Sequence, residues 1–580
     1  MKGKILSIIC LIIIQTAFVR GAVVEEWVSV QPTVGEPPFA DFTYSPSQSK
    51  VNDTIYFSSN SYDPDGYIVN YTWNLGDGSV KYGERVTHSY AHLGNYSVSL
   101  TVKDNNGSVS KRVKTIKIYE KEIDINFILS VTENLSNTTF YYSQGRCFGT
   151  EGERWAADHI ITPNMSAIGL ENVHKEAIDG SLNKRNVVTG YQLSINISDQ
   201  IWINRSFGNS FPLSTWLSGE HDTGWRDVVD KTSMSYEELV QSQGDGRIWL
   251  VEVKLEEQYQ WASGTNISHP IILMDNSSNN YYDDTFFMSP THVVGGGVSI
   301  CSRDGKMIRE NLSNGWVKAR INMSVEYATL ETYNVIGEIS GQDNSKVIIV
   351  GAHYDGWWNQ GALDNAIGVG IMLGIAKYFK DNNIIPKYKL KFVAFGGEEY
   401  LQRGAKDYVN DHPLENIVYM INVDMVAHNG GGPLNITSNS NLTLNKVKNI
   451  VSQIYPFSNE TFMGTPTATD AAVFAEEDYI VIDFVKENYL YYHRDGGFIR
   501  ENNNPIKNTH TKGDVMDNIN RQDLNATAKL ILEVVKYLSN NLITYSNSNN
   551  SADDSNDISN DYYADIDVTS NELIIKDEYY

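Results

Sequence analysis

Between Asn334 and about Leu542, short apolar runs alternate with stretches of helical periodicity, and no other feature of the chain restricts its fold as much. Strands that alternate with helices point to an α/β core with a largely parallel sheet, because each helix carries the chain back to the edge where the next strand begins. Val347–Val350, Leu390–Phe395, Ile417–Val423 and Ile480–Val485 are the strand-like runs. The last helical pattern sets Leu524, Ala528, Ile531, Leu532, Val535 and Leu538 on one face.

Each run leads to ionisable residues: His353 and Asp355 after the first, Glu398-Glu399 after the second, Asp424 after the third, and, some way on, His510 after the fourth. In an open parallel sheet the carboxyl ends of the strands share one edge, so these side chains converge in a crevice. Imidazoles mixed with carboxylates suit zinc better than calcium or magnesium. Without cations such a cluster would repel itself. Asp364, in Gly361-Ala362-Leu363-Asp364-Asn365-Ala366 ahead of a helical run, reads either as a helix N-cap or as a carboxylate able to bridge two ions. Glu398 and Glu399 leave a buried strand through Gly396-Gly397, so one can bind metal while the other accepts a proton from water.

The 580 residues are too many for one core. Lys2 and Lys4, an apolar run Ile5–Val19 and Arg20-Gly21-Ala22 give residues 1–22 the pattern of a secretory signal, too short for a spanning helix. Asn-x-Ser/Thr sequons such as Asn70, Asn95 and Asn322 agree with export and glycosylation. Of the three cysteines, Cys147 and Cys301 remain after signal removal, free to pair or to stay apart as buried thiols. A net charge of −25 repels nucleic acid and anionic lipid and favours solubility. Residues 38–118 show short strands with turn signals at Asp63-Pro64-Asp65-Gly66, Gly76-Asp77-Gly78 and Asp104-Asn105-Asn106-Gly107, and Tyr96, Val98, Leu100 and Val102 alternate with polar residues. A second domain starts near 146, where Thr150-Glu151-Gly152-Glu153 has capping-box spacing. Residues 191–329 read as strands and loops inserted into it, and 546–580 as an acidic disordered tail.

The strings SYDPDGYIVNYTWNLGDGS and HSYAHLGNYSVSLTVKDNNG resemble a PKD domain, an immunoglobulin-like β-sandwich, which implies a core position for Trp73 and contact with surface or extracellular material. GAHYDG, GALDNAIGVG, FGGEEYLQRGAKDYV, NVDM and NTHTKGD, in that order, resemble the M28 peptidases, the co-catalytic zinc aminopeptidases and their relatives. TEGERWAADHI and NVIGEISG are similar to that family's leading segments, so the resemblance covers 146–190 and 330–542. It implies a mixed sheet flanked by helices, as in zinc exopeptidases, and two zinc ions. Asp364 would bridge them, His353 and Asp424 would complete one, and Glu399 and His510 the other. Glu398 would be the general base, and Asp355 would hold the imidazole of His353. The position of 191–329 resembles a protease-associated insertion. Thr469-Asp470-Ala471 departs from the family's Ser-Asp-His, and Val515 from its Thr after Asp514. The expected activity is that of a secreted or cell-surface aminopeptidase acting on peptides or proteins, with no stable membrane insertion. A carboxypeptidase, a glutaminyl-cyclase-like transferase and a binding protein on an inactive peptidase fold are the alternatives.

Overall fold

The computed structural model describes residues 35–137, 145–178, 184–199, 201–205, 211–213, 219–242, 244–253, 267, 269–275, 296–300, 302–329, 331–356, 360–400, 402–427, 434–454, 461–466, 469–486, 493–494, 497–498 and 514–542. The signal-like residues 1–22, the acidic tail 546–580 and Cys301 lie outside these, and so does any pairing of Cys301 with the buried Cys147. The chain divides into two units, Met1–Lys121 and Glu122–Tyr580.

Among its described residues the first unit has eight strands: β1 (Phe42–Ser45), β2 (Ser49–Lys50), β3 (Ile55–Ser59), β4 (Ile68–Asn74), β5 (Val80–Tyr82), β6 (Arg85–His88), β7 (Gly94–Asp104) and β8 (Val109–Tyr119). They form a three-stranded sheet β1-β3-β6 and a five-stranded sheet β2-β8-β7-β4-β5. The predicted alternation holds in part: Val98, Leu100 and Val102 of β7 are buried while Ser97 and Lys103 are exposed, but Ser99 is buried and Thr101 half-buried. Trp73 is buried in the core, edge-on to Phe42 at 5.1 Å, and its Nε1 donates to Gly83 O at 2.8 Å. Asp77 and Asp104 do turn work, accepting from the backbone N–H groups of Ser79 and Ser108.

The second unit opens with α1 (Ile125–Ser136), a helix that the sequence pattern does not predict, although Asp124 caps it and Ile128, Leu129, Val131 and Leu135 are buried. Next come α2 (Glu151–Ala156), a π turn, α3 (Thr162–Ile168) and β9 (Glu171–Ala177). Only half of the capping box forms: Thr150 accepts from Glu153 N, but the Glu153 side chain accepts from Gly149 N and Thr332 Oγ1 instead of Thr150 N.

Residues 184–329 build their own sheet. Its members are β10 (Lys184–Ile197), β11 (Ile201–Arg205), β12 (Phe211–Leu213), β13 (Gly219–Asp222), β14 (Arg226–Asp230), β15 (Ile248–Val253), β16 (Ile271–Asp275), β17 (Gly297–Ile300) and β18 (Val317–Thr329). Among the described residues here, the helices α4 (Tyr236–Gln241) and α5 (Ser302–Asn314) lie between strands in the chain. The order is β11-β10-β18-β14-β15-β16-β17-β12, with β13 on β18, and the step from β14 through β17 is parallel.

The chain then returns to its first sheet with β19 (Tyr333–Ile339) and β20 (Asp343–His353). Helix α6 (Ile367–Asp381), β21 (Tyr388–Phe395), α7 (Arg403–Asp411), β22 (Ile417–Asp424), β23 (Asn435–Thr437) and α8 (Asn441–Ile454) come next. Then follow β24 (Thr461–Met463), α9 (Asp470–Glu476), β25 (Val481–Val485), a short antiparallel pair His493–Arg494 with Gly497–Phe498, a 3-10 turn Met516–Asn518 and α10 (Arg521–Leu538). The sheet order is β24-β23-β25-β22-β20-β21-β19-β9. Strands β25, β22, β20 and β21 are mutually parallel, and β19, β9 and β23 join antiparallel, so the sheet is mixed with a parallel centre, in agreement with the expected fold class. The segment Ala362–Asp381 is long and apolar enough to cross a membrane, but 94% of its apolar window is buried, which makes it a core helix.

Candidate metal centre

From β20 the chain moves to β21 on one side and then crosses to β22 on the other, so the carboxyl end of β20 is a topological switch point, where an open sheet leaves a crevice. His353 is the last residue of β20 and Asp424 the last of β22. His353 Nε2 stands 3.2 Å from Asp424 Oδ1 and 3.2 Å from Asp364 Oδ1. The three residues are buried, and each offers a ligand atom within 4.8 Å of the others.

Asp364 is not a helix cap. It sits in the π turn Ala362–Ala366 with φ −124° and ψ 90°, and the capping is done by its neighbour. Asn365 Oδ1 accepts from Gly368 N at 3.1 Å and from Met425 N at 3.3 Å, while its Nδ2 donates to Val423 O at 2.8 Å. One buried amide therefore starts α6 and ties the Asp364 bend to the end of β22, which is how Asp364 comes to face Asp424.

Asp355 lies 3.5 Å from His353 Nδ1, an ionic contact without directed hydrogen-bond geometry. Its oxygens also accept from Glu398 N at 3.0 Å and Glu399 N at 3.2 Å, so it joins the end of β20 to the turn after β21. Within that turn Gly397 has φ +69° and packs against Phe148, whose Cε2 would be 2.3 Å from an added Cβ. Glu398 is buried, and Gln402 Nε2 donates to its Oε1 at 3.3 Å. Glu399 is half-buried and does not join the His353, Asp364 and Asp424 group at that spacing. His510 and His428 lie outside the described residues, as does the side chain of His493.

Burial pushes the Glu398 carboxyl well above its ordinary range; His353 opposes this, while Asp424, Glu399 and Asp470 add to it. For His353, burial works against the charged form, but Asp424, Asp355 and Asp364 outweigh it and hold the imidazole well above its usual value. Asp470, at the start of α9, is fully buried with both oxygens lacking a hydrogen-bond partner among the described residues, and burial drives it upward too. Behind it Asn422 Nδ2 and Thr469 Oγ1 donate to Asp483, which burial pushes up to about 7. Among the described residues carboxylates thus outnumber imidazoles around this buried point, an excess of negative charge that a bound cation would offset. Two nitrogen-and-oxygen features make the donor set fit zinc: the buried imidazole and the two carboxylates aimed at its Nε2. The sequence does not single out Asn365, Asn422 and Asp483, because nothing in their local spacing marks them.

Residues 334–535 match the family model described as peptidase family M28, and residues 35–118 match that of the PKD domain. Both resemblances noted in the sequence hold for these segments. Over 144 residues the chain is 33% identical to a probable leucine aminopeptidase 2 from Trichophyton verrucosum, a match covering 23% of this chain and 28% of that protein. Over 73 residues it is 45% identical to a microbial collagenase from Vibrio alginolyticus, covering 12% of this chain and 9% of that one. The chain therefore spans a minor part of the length of either relative. Among solved structures, a zinc aminopeptidase from Bacillus subtilis superposes with a TM-score of 0.53 at 18% identity, over 72% of this chain and 96% of that chain. A peptidase M28 precursor from Shewanella amazonensis does so with a TM-score of 0.51 at 17% identity, over 72% and 98%. At such identity the likeness is one of fold.

Proposed function

We propose that this protein is an exported zinc-dependent aminopeptidase, with two zinc ions held by His353, Asp364, Glu399, Asp424 and His510. The observation that carries the reading is the buried group of His353, Asp364 and Asp424 at the switch point of the sheet, with Glu398 buried close to it. The M28 match over 334–535 and the leucine aminopeptidase relatives support it. Export is proposed on the signal-like pattern of residues 1–22 and the PKD match.

Zinc bound at this point would polarise a scissile carbonyl and acidify a water molecule. Glu398 is the proton carrier: its carboxylate takes a proton from the attacking water and passes it to the leaving amine. Asp355 fixes where Glu398 stands, because its oxygens accept from the backbone of both Glu398 and Glu399. The same carboxylate lies against Nδ1 of His353 and leaves Nε2 facing Asp364 and Asp424.

Metal analysis of the purified active protein, paired with hydrolysis of free-amine, amine-blocked and carboxyl-blocked peptides, tests this. We expect about two zinc ions per chain, loss of turnover on chelation, and cleavage of free-amine and carboxyl-blocked peptides only. Active protein free of transition metal would overturn the metal assignment. Cleavage of amine-blocked but not carboxyl-blocked peptides would make the enzyme a carboxypeptidase.

A further inference from the structure

Arg146 is 2% exposed, and its hydrogen-bond partners among the described residues are backbone carbonyls, with no carboxylate. Nε donates to Tyr354 O at 2.9 Å, Nη1 to Gln360 O at 2.8 Å and to Leu135 O, and Nη2 to Gly361 O at 2.8 Å. Its own carbonyl accepts from Gly356 N at 3.1 Å. Burying a cation against neutral acceptors is costly, so its place in the fold calls for a return. The acceptors supply one. Tyr354 directly follows His353, and Gly361 stands three residues before Asp364, so the guanidinium grips both ends of the link between those two side chains. A planar fork can meet these four carbonyls in set directions, which a lysine ammonium cannot.

We propose that Arg146 is a positioning residue for the metal centre: it holds the segment between His353 and Asp364 at the span that lets both side chains reach one ion. This rests on the metal reading above. A guanidinium that merely filled space would contribute to stability and leave metal affinity alone, so the two roles separate by measurement.

Zinc affinity of the full chain, stripped and titrated against a chromogenic chelator, is compared for wild type, Arg146→Lys, Arg146→Gln and Gly361→Ala, each under conditions where it is folded by circular dichroism. Gly361→Ala strains the link from the other side, since an added Cβ would lie 2.5 Å from Arg146 Nη2 and 2.8 Å from Asp364 O, at a backbone φ of +56°; weakening there is read together with the Arg146 variants, and unchanged affinity counts against the contact. It remains available if the arginine variants do not fold. Val534→Ala in α10, a buried site away from the link, supplies a control of lowered stability. Weakening of roughly 10- to 100-fold is expected in the Arg146 and Gly361 variants, with no rescue by lysine and unchanged affinity in the control. Wild-type protein without zinc affinity overturns the metal reading itself. Wild-type affinity that persists in the folded Arg146 variants, or in Gly361→Ala, overturns the role of Arg146 alone.

Discussion

Adjacent Glu398 and Glu399 differ in burial: Glu398 is buried and Glu399 half-buried, although Asp355 accepts from the backbone N–H of each. That difference implies separate roles. Glu398→Gln keeps size and polarity but removes the proton acceptor, so turnover should fall by about 10²- to 10⁴-fold while zinc content persists. Glu399→Gln exchanges an anionic donor for a neutral amide and should lower zinc occupancy as well as rate. Equilibrium dialysis against buffered zinc beside initial-rate measurements reads both effects, and the opposite pattern would exchange the two roles. How far such residues are legible in sequence depends on what they touch. His353, Asp355, Glu398 and Asp424 come after apolar runs that must become strands, and the convergence of strand ends does the rest. Asn365 and Arg146 act on carbonyls and amides, which every residue carries, so only the folded backbone shows which ones they meet. Asp364 illustrates the intermediate case: its position before a helix is legible, but Asn365 beside it has the same capping chemistry and takes that task.

Among the elements, the apolar runs fall inside β20, β21 and β22 and, apart from Ile480, inside β25, because a buried central strand needs apolar side chains on both faces and so writes a continuous run. Their order across the sheet is beyond local reading, since pairing is decided by crossovers far apart in sequence. Helix α1 is hidden for a related reason: its partner is α6, more than two hundred residues later, and the fit depends on glycines there. A Cβ at Gly370 would come within 2.7 Å of Thr132 Oγ1 and 2.8 Å of Ile128 O, and one at Gly374 within 2.6 Å of Ile128 Cγ1. The two helices therefore approach backbone to backbone. Gly370→Ala should cost roughly 1–3 kcal/mol of stability, because the clashing groups include main chain that cannot turn away. Urea unfolding of the variant beside wild type measures it; an unchanged midpoint would mean that the α1 contact is looser than the structure has it.

At the level of the whole molecule, the first unit carries its own core of Phe42, Phe57, Trp73, Leu100 and Ile116, and a unit with its own core is expected to fold by itself. Deleting residues 38–118 should accordingly leave hydrolysis of small peptides within about twofold of wild type, since the residues assigned to chemistry lie in the second unit. Assays of the zinc-loaded, soluble truncation decide it, and an inactive product would show that the units depend on each other. The inserted sheet is attached in a different way. The chain leaves the central sheet at Ala177 and re-enters at Tyr333, and these two residues are register partners, with Ile178 N donating to Thr332 O at 3.1 Å. Exit and entry are thus a single strand spacing apart, about 5 Å. In evolutionary terms this is a socket: any module whose own ends lie side by side could be exchanged there by recombination without shifting the register of the strands that end at His353 and Asp424. Descendants of such a chain could trade one accessory module for another while inheriting the catalytic frame intact.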